Sequence, residues 1–222
     1  MKGVSSSCEL ILPCRDEASA LRDLLPRVPA DYAVLVVDNG SSDRTGEVAA
    51  SLGARVVHEP TAGYGAAVHA GLLAATADVV VVMDGDGSFD PEEVGPLVED
   101  VLDDRADLAV GRHRPVARGL WPWHARLGNA LVVLWLRHRI GLAVHDIAPL
   151  RVARRADLLA LGVLDRRFGY PVELLQKATD AGWRVVEHDV GYHPRAAGTR
   201  SKVSGSVRGT ARAARDFWRV LS

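Results

Sequence analysis

Cysteine is scarce in these 222 residues: only Cys8 and Cys14 occur, without a C-x-x-C pair or any spacing that names a zinc site. That argues against a disulfide-stapled secreted scaffold and for two buried thiols in a reducing compartment. No stretch approaches the ~18 uninterrupted apolar residues of a membrane-spanning helix. The longest candidate, 130–144, is broken by Arg137, His138 and Arg139. The amino terminus carries one lysine and a short apolar run that continues into a strand, so no secretory leader is read there and a cytoplasmic location is expected. No histidines stand in the H-E-x-x-H spacing of a helix-borne zinc site.

Acidic residues also become sparse half-way along the chain. Residues 1–111 hold 7 basic and 20 acidic side chains and residues 112–222 hold 20 and 8, so the halves carry −13 and +12 beneath a net charge of −1. The second half is therefore expected to face something anionic, with phospholipid, a lipid phosphate or a nucleotide pyrophosphate as candidates, or to neutralise the first half across an interface. At 48% hydrophobic, the chain is long enough for one domain with a sizeable core. Residues 1–222 are read as a single domain.

What is present is organised around Val79-Val80-Val81-Val82-Met83, followed at once by Asp84-Gly85-Asp86. Such a run, with no polar alternation, predicts a strand buried on both faces of a parallel sheet. Ligands in open α/β sheets bind at the carboxyl ends of strands, and two carboxylates one residue apart repel unless a cation lies between them. Hard oxygen ligands suit Mg²⁺ or Mn²⁺, so Asp84 and Asp86 are candidate metal ligands toward a phosphorylated substrate. An EF-hand fails on Phe89 and Gly95, which stand where the loop needs glycine and glutamate. A solvated acidic turn and an Asp-x-Asp phosphatase stay open, although Asp103-Asp104, the next acidic pair, lies in a helical pattern.

The first half alternates strands (8–13, 33–38, 54–58) with helices (17–28, 43–52, 66–76), which predicts a doubly wound α/β fold with a mostly parallel central sheet flanked by helices. Polar clusters fall at the strand ends: Cys14 to Glu17, Asp38 to Ser41, and Gly63-Tyr64-Gly65. The short side chains can hydrogen-bond a nucleoside, and the Gly63/Gly65 turn can bring backbone N–H groups to a phosphate. Later strands are expected at 108–110 and 183–190, with helices from His124 and over 169–177.

Pro13 to Glu17, Asp38-Asn39-Gly40-Ser41-Ser42-Asp43-Arg44-Thr45, Gly63-Tyr64-Gly65-Ala66-Ala67 and Asp84-Gly85-Asp86 together resemble the GT-A nucleotide-sugar glycosyltransferases of family 2, most closely the dolichol-phosphate mannose synthase and polyprenyl-phosphate glycosyltransferase group. The resemblance covers almost the whole chain and implies the GT-A fold. It places Pro13, Glu17, Asp38 and Asn39 in the nucleoside pocket, and Asp84 and Asp86 on a divalent ion at the donor pyrophosphate. It further implies that Arg112 contacts donor phosphates, as arginine's planar fork suits, and that Asp146 is the catalytic carboxylate beside the acceptor. Residues 192–204 resemble a lid in which Arg195, Ser201 and Lys202 close on the diphosphate. Asn is common in the family where Asp16 stands, a second Asp where Asn39 stands, and Gln where Ser88 stands.

Arg126 and Arg151 are placed on the acceptor side. Arg114, Arg118, Trp121, Trp123 and Arg126 mix cations with amphipathic rings, as at a membrane surface. A final helix sets Arg208, Arg212, Arg215 and Arg219 on one face. The expected activity is inverting transfer of a hexose from a UDP- or GDP-sugar to a polyprenyl phosphate, with nucleotide-sugar, lipid phosphate and, peripherally, the membrane face as partners, and no nucleic acid. A soluble hydroxyl acceptor and a non-catalytic nucleotide-sugar-binding role are the alternatives.

Overall fold

The computed structural model describes residues 8–117, 119–120, 123–147, 149–196 and 215. Seven strands form one sheet: β1 (Cys8–Cys14), β2 (Tyr32–Asp38), β3 (Arg55–His58), β4 (Val79–Val82), β5 (Leu108–Pro115), β6 (Leu150–Arg154) and β7 (Val185–Tyr192). Their order is β3-β2-β1-β4-β6-β5-β7. All pairings are parallel except those of β6, which runs antiparallel to both neighbours. Both halves of the chain thus share one sheet.

Strand alternation sorts the core into two layers. Leu10, Leu12, Val36, Val79, Val81 and Met83 face one side, where they meet helices α1 (Ala18–Leu24), α2 (Thr45–Ser51) and α4 (Gly95–Leu102). Ile11, Leu35, Val37, Val80 and Val82 face the other, against α3 (Tyr64–Ala74), α5 (Trp123–Ile140), α6 (Arg155–Ala160) and α7 (Tyr170–Asp180). All four residues of β4 are buried, as a strand covered on both faces must be. The helices before and after β3 lie on opposite faces, so the strand order reverses between β1 and β4, which is the ligand crevice of an open α/β sheet.

Several elements depart from expectation. The first helix ends as α-helix at Leu24 and finishes in a 3₁₀ turn over Leu25–Arg27, where Pro26 has no N–H to continue the ladder. β5 runs five residues past Val110, because β7 pairs with it up to Pro115–Tyr192. β6 and α6 were not anticipated: two arginines interrupt the apolar pattern of Leu150–Arg154, and a five-residue strand gives alternation little to work with.

Close approach of α3 to β1 depends on Gly71, where a Cβ would stand 2.4 Å from Ile11 Cγ2. Gly71→Ala is expected to cost about 1–3 kcal/mol in chemical denaturation through overpacking. Gly95→Ala, with nothing within 4 Å, should be neutral or slightly stabilising. Equal stability of the two variants would contradict the packing account.

Candidate active site

The end of β4 delivers Asp84 and Asp86 to the crevice. Gly85 between them lies against the β1 turn: a Cβ there would stand 2.3 Å from Cys14 Sγ and 3.1 Å from Glu17 Oε2. Backbone bonding closes the same edge, with Asn39 N donating to Cys14 O at 2.9 Å and Met83 N to Ile11 O at 3.1 Å. The β1 and β2 turns are laced together. Asp16, at φ 55°, accepts from Ser42 N (2.6 Å) and Ser42 Oγ (2.9 Å), while Asp43 accepts from Ala18 N (3.1 Å) and Thr45 Oγ1 accepts from Glu17 N (2.9 Å). Asp38 accepts from Ser41 N at 2.9 Å and has His58 Nδ1 3.4 Å away.

Cations from the second half surround the two carboxylates. Arg195, just after β7, binds Asp86 Oδ2 through Nε, and its guanidinium lies 5.9 Å from the centre of the Tyr192 ring. The backbone follows it down, with Ala196 N donating to Asp86 O (3.2 Å) and His193 N to Ser88 O (2.9 Å). Arg151, opposite Val82 on β6, is 3% exposed and donates to the Tyr64 hydroxyl (3.0 Å) and to Ile147 O (3.4 Å). The Asp84 pKa is raised to about 6, first by burial and then by the charge of Asp86, against the lowering pull of Arg151, Arg195 and His113.

This donor set fits a divalent cation. Two carboxylates one residue apart converge at the end of β4, and Ser88 Oγ, two residues on, is buried with no hydrogen-bond partner among the described residues. Asp84 and Asp86 would hold the ion. A different cluster, Asp90, Glu93 and His193, has ligand atoms within 4.8 Å of one another. There Arg27 already binds Asp90, and Gly191 N donates to Glu93 at 2.7 Å, so protein groups answer much of its charge.

Asp146 is 1% exposed, and its Oδ2 accepts from His113 N at 2.8 Å and lies 2.6 Å from His113 Nδ1. The His113 ring also packs on Phe89 (5.3 Å) and edge-on to Tyr192 (4.9 Å), which places it within the carboxylate cluster.

Residues 9–155 match the sequence family described as Glycosyl transferase family 2. The chain belongs to that family. An uncharacterized glycosyltransferase of Mycobacterium tuberculosis is 57% identical over 213 residues, 96% of this chain and 97% of that one. A polyprenol monophosphomannose synthase of Mycolicibacterium smegmatis is 35% identical, covering 89% of this chain and 81% of its own length. Glucosyl-3-phosphoglycerate synthase of M. tuberculosis, solved with Mn²⁺, UDP and glucosyl-3-phosphoglycerate, shares the GT-A fold at 22% identity, with a TM-score of 0.74 over 97% of this chain and 78% of that one.

In this family 2 glycosyltransferase the structure brings Pro13, Glu17, Asp38, Asn39, Asp84, Asp86 and Arg195 to one edge. Other predicted residues have partners within the protein. In the Gly63-Tyr64-Gly65 turn the backbone N–H groups have protein partners: Gly63 N donates to Asn39 Oδ1 (2.9 Å), Gly65 N to Arg167 O (3.1 Å) and Ala66 N to Arg166 O (2.9 Å). Its glycines serve close packing: a Cβ at Gly63 or Gly65 would stand 2.1 Å or 2.4 Å from the carbonyls of Arg166 and Asp165. The Asn39 side chain is likewise occupied, donating to Glu59 O (2.9 Å) and Thr61 O (2.8 Å) and so fixing the loop that leads to Gly63.

Arg112 is not joined to the carboxylates in any described contact. Because β5 continues as a strand, Arg112 and Arg114 share one side and reach Asp189 (3.9 and 2.8 Å), while His113 turns the other way to Asp146. His113 was missed for that reason. Arg151 is a buried counter-charge for Asp84 rather than an open acceptor-side cation, and Arg126 lies exposed on α5, outside the cluster. Asp146 has one oxygen committed to His113 and is enclosed, unlike an open base. Ser201, Lys202, most of the 192–204 lid and the terminal helix apart from Arg215 lie outside the described residues.

Two outcomes follow from the charges. The raised Asp84 pKa stabilises the metal-free fold fully below pH ~4 and loses that contribution as pH rises through about 6. Asp84→Asn should therefore be more stable than wild type by on the order of 1–3 kcal/mol at pH 7 without metal, and show no gain near pH 3.5, in thermal melts across pH. Arg195 meanwhile occupies the Asp86 oxygen that a metal would take. Arg195→Ala should tighten Mn²⁺ binding without nucleotide by roughly three- to thirtyfold, as titrated by electron paramagnetic resonance, while weakening nucleoside diphosphate binding. Unchanged Mn²⁺ affinity would mean that Arg195 and the metal do not share that oxygen.

Proposed function

We propose that the protein transfers a hexosyl group, with inversion, from a UDP- or GDP-sugar to a polyprenyl phosphate presented at the cytoplasmic face of a membrane. The observation that carries the reading is the Asp84/Asp86 pair at the β1/β4 crevice with Arg195 poised on it, a site built for a diphosphate neutralised by a divalent cation. Support for the acceptor comes from the polyprenol monophosphomannose synthase likeness over 89% of the chain. The Mn²⁺ and UDP bound by the glucosyl-3-phosphoglycerate synthase support the cofactor and donor class.

In the proposed reaction a phosphate oxygen of the acceptor attacks the anomeric carbon from the face opposite the leaving group. The new C–O bond forms as the bond from that carbon to the diphosphate oxygen breaks, and the nucleoside diphosphate departs with the electron pair. A bound Mg²⁺ or Mn²⁺ would supply charge neutralisation for that departure. Arg195 passes from Asp86 to the diphosphate as the lid closes, while Arg151 holds Asp84 ionised from beneath. Ser201 and Lys202 are assigned to the same lid, and Glu17 and Asp38 to the nucleoside. Asp146 orients His113 on the acceptor side of the carboxylates, and Arg112 is left with Asp189.

A phosphate monoester has a second ionisation near ~6, so it attacks as an anion and general-base help adds little. A hydroxyl acceptor would need a base, typically worth ~10²–10⁴-fold. With polyprenyl phosphate, Asp146→Asn should keep donor affinity and raise the acceptor KM, and its pH–rate profile should lack any limb assignable to a carboxylate. If product instead forms only with a soluble hydroxyl acceptor, and Asp146→Asn loses kcat together with an acidic limb seen in wild type, the lipid-phosphate reading fails. Donor binding with neither hydrolysis nor transfer would favour a non-catalytic partner.

A further inference from the structure

Surface helices ordinarily turn polar residues outward, and α5 turns large apolar ones outward as well. Its inner side is accounted for: Val132, Val133 and Leu136 are buried, and Asn129 Oδ1 accepts from Ile147 N at 3.0 Å, tying the helix to the turn that carries Asp146. On the outer side Trp123, Leu127, Leu131 and Leu134 are 75%, 53%, 60% and 63% exposed. At about 100° per residue these four fall within an arc of about 80°. Single exposed leucines are ordinary, but a continuous ridge of them is the mark of an interaction surface.

Charge identifies what the ridge meets. From Gly111 to His145 the sequence contains six arginines and no aspartate or glutamate. Arg126 and Arg137 flank the apolar arc on one side, and both are exposed. A second copy of the chain is a poor match, because a two-fold interface sets each patch against itself and would bring these arginines together with no acid to separate them. An anionic lipid surface matches both properties, taking the leucines at the acyl boundary and the guanidinium groups at the headgroup phosphates. No helix among the described residues is long and apolar enough to cross a membrane, so α5 would lie on the surface rather than span it.

We propose that α5 is a membrane-docking helix: Leu127, Leu131 and Leu134, extended by Trp123, enter the interface of an anionic phospholipid bilayer while Arg126 and Arg137 engage its phosphates. The inference deepens the lipid-phosphate reading and rests on it for its purpose, since docking through α5 turns the adjoining Asp146–His113 end of the site toward the bilayer. The contact itself requires neither donor nor acceptor.

The test is sedimentation of the full chain with phosphatidylcholine vesicles with and without phosphatidylglycerol. Binding is expected only with phosphatidylglycerol, weakening as salt is raised. The double variant Leu131→Glu, Leu134→Glu should bind at least about tenfold more weakly, whereas Leu73→Glu, at an equally exposed leucine on α3, should bind as wild type. Thermal melts and UDP affinity of both variants should match wild type, which excludes misfolding as the cause. Failure of wild type to sediment, or equal sedimentation of the double variant, overturns the proposal. So does a dimer in light scattering that the double variant splits, for the ridge would then be a self-association face. Transfer to a water-soluble short-chain prenyl phosphate separates the two readings: retained transfer without vesicle binding refutes docking alone, and vesicle binding without any such transfer refutes the acceptor alone.

Discussion

Two carboxylates forced together at the end of a fully buried strand are the constraint on which the site depends. β4 has no freedom to move Asp84 and Asp86 apart, because it is paired on both edges and covered on both faces. The repulsion is answered by Arg151 from β6, Arg195 from the end of β7 and His113 from β5, each brought in by a different strand. Carboxylates held this close by a fixed strand suit a divalent cation between them. Arg195, bound to Asp86, is a cation that suits a diphosphate equally well.

The uneven charge of the two halves is resolved in the same sheet. Arg195–Asp86, Arg154–Asp104, Arg184–Asp107 and His188–Asp100 all join a basic residue of the second half to an acidic residue of the first. The Arg154–Asp104 and Arg184–Asp107 pairs are largely exposed and contribute little stability each. Around Asp84, where solvent is limited, the same opposition of charge controls protonation. The arginines of α5 have no such acidic neighbours in sequence.

Close backbone approach builds the donor edge. Gly85 lets the β4 turn lie against Cys14 and Glu17, and Gly63 and Gly65 let the start of α3 lie against the carbonyls of 165–167. Asn39 spends its amide on the 59–63 segment. What resembles a set of ligand-binding turns is thus partly scaffold, and the polar atoms left facing the crevice belong mainly to the β1, β2 and β4 turns.

The sequence by itself determined the strand–helix alternation of the first half, the buried β4 run and the carboxylates at its end. These depend on local physics: the period of apolar residues, the length of each run and the chemistry of the turns that stop it. Tertiary structure alone decided the antiparallel insertion of β6 and the length of β5, because both depend on pairing with strands far along the chain. That length settled whether Arg112 or His113 faces Asp146, since each added strand residue reverses the side on which a side chain lies. It also decided that the glycines of the α3 turn lie against carbonyls, and that the described residues leave one side of α5 uncovered. A sequence shows that a helix carries leucines all round, but only packing shows which of them the core leaves outside.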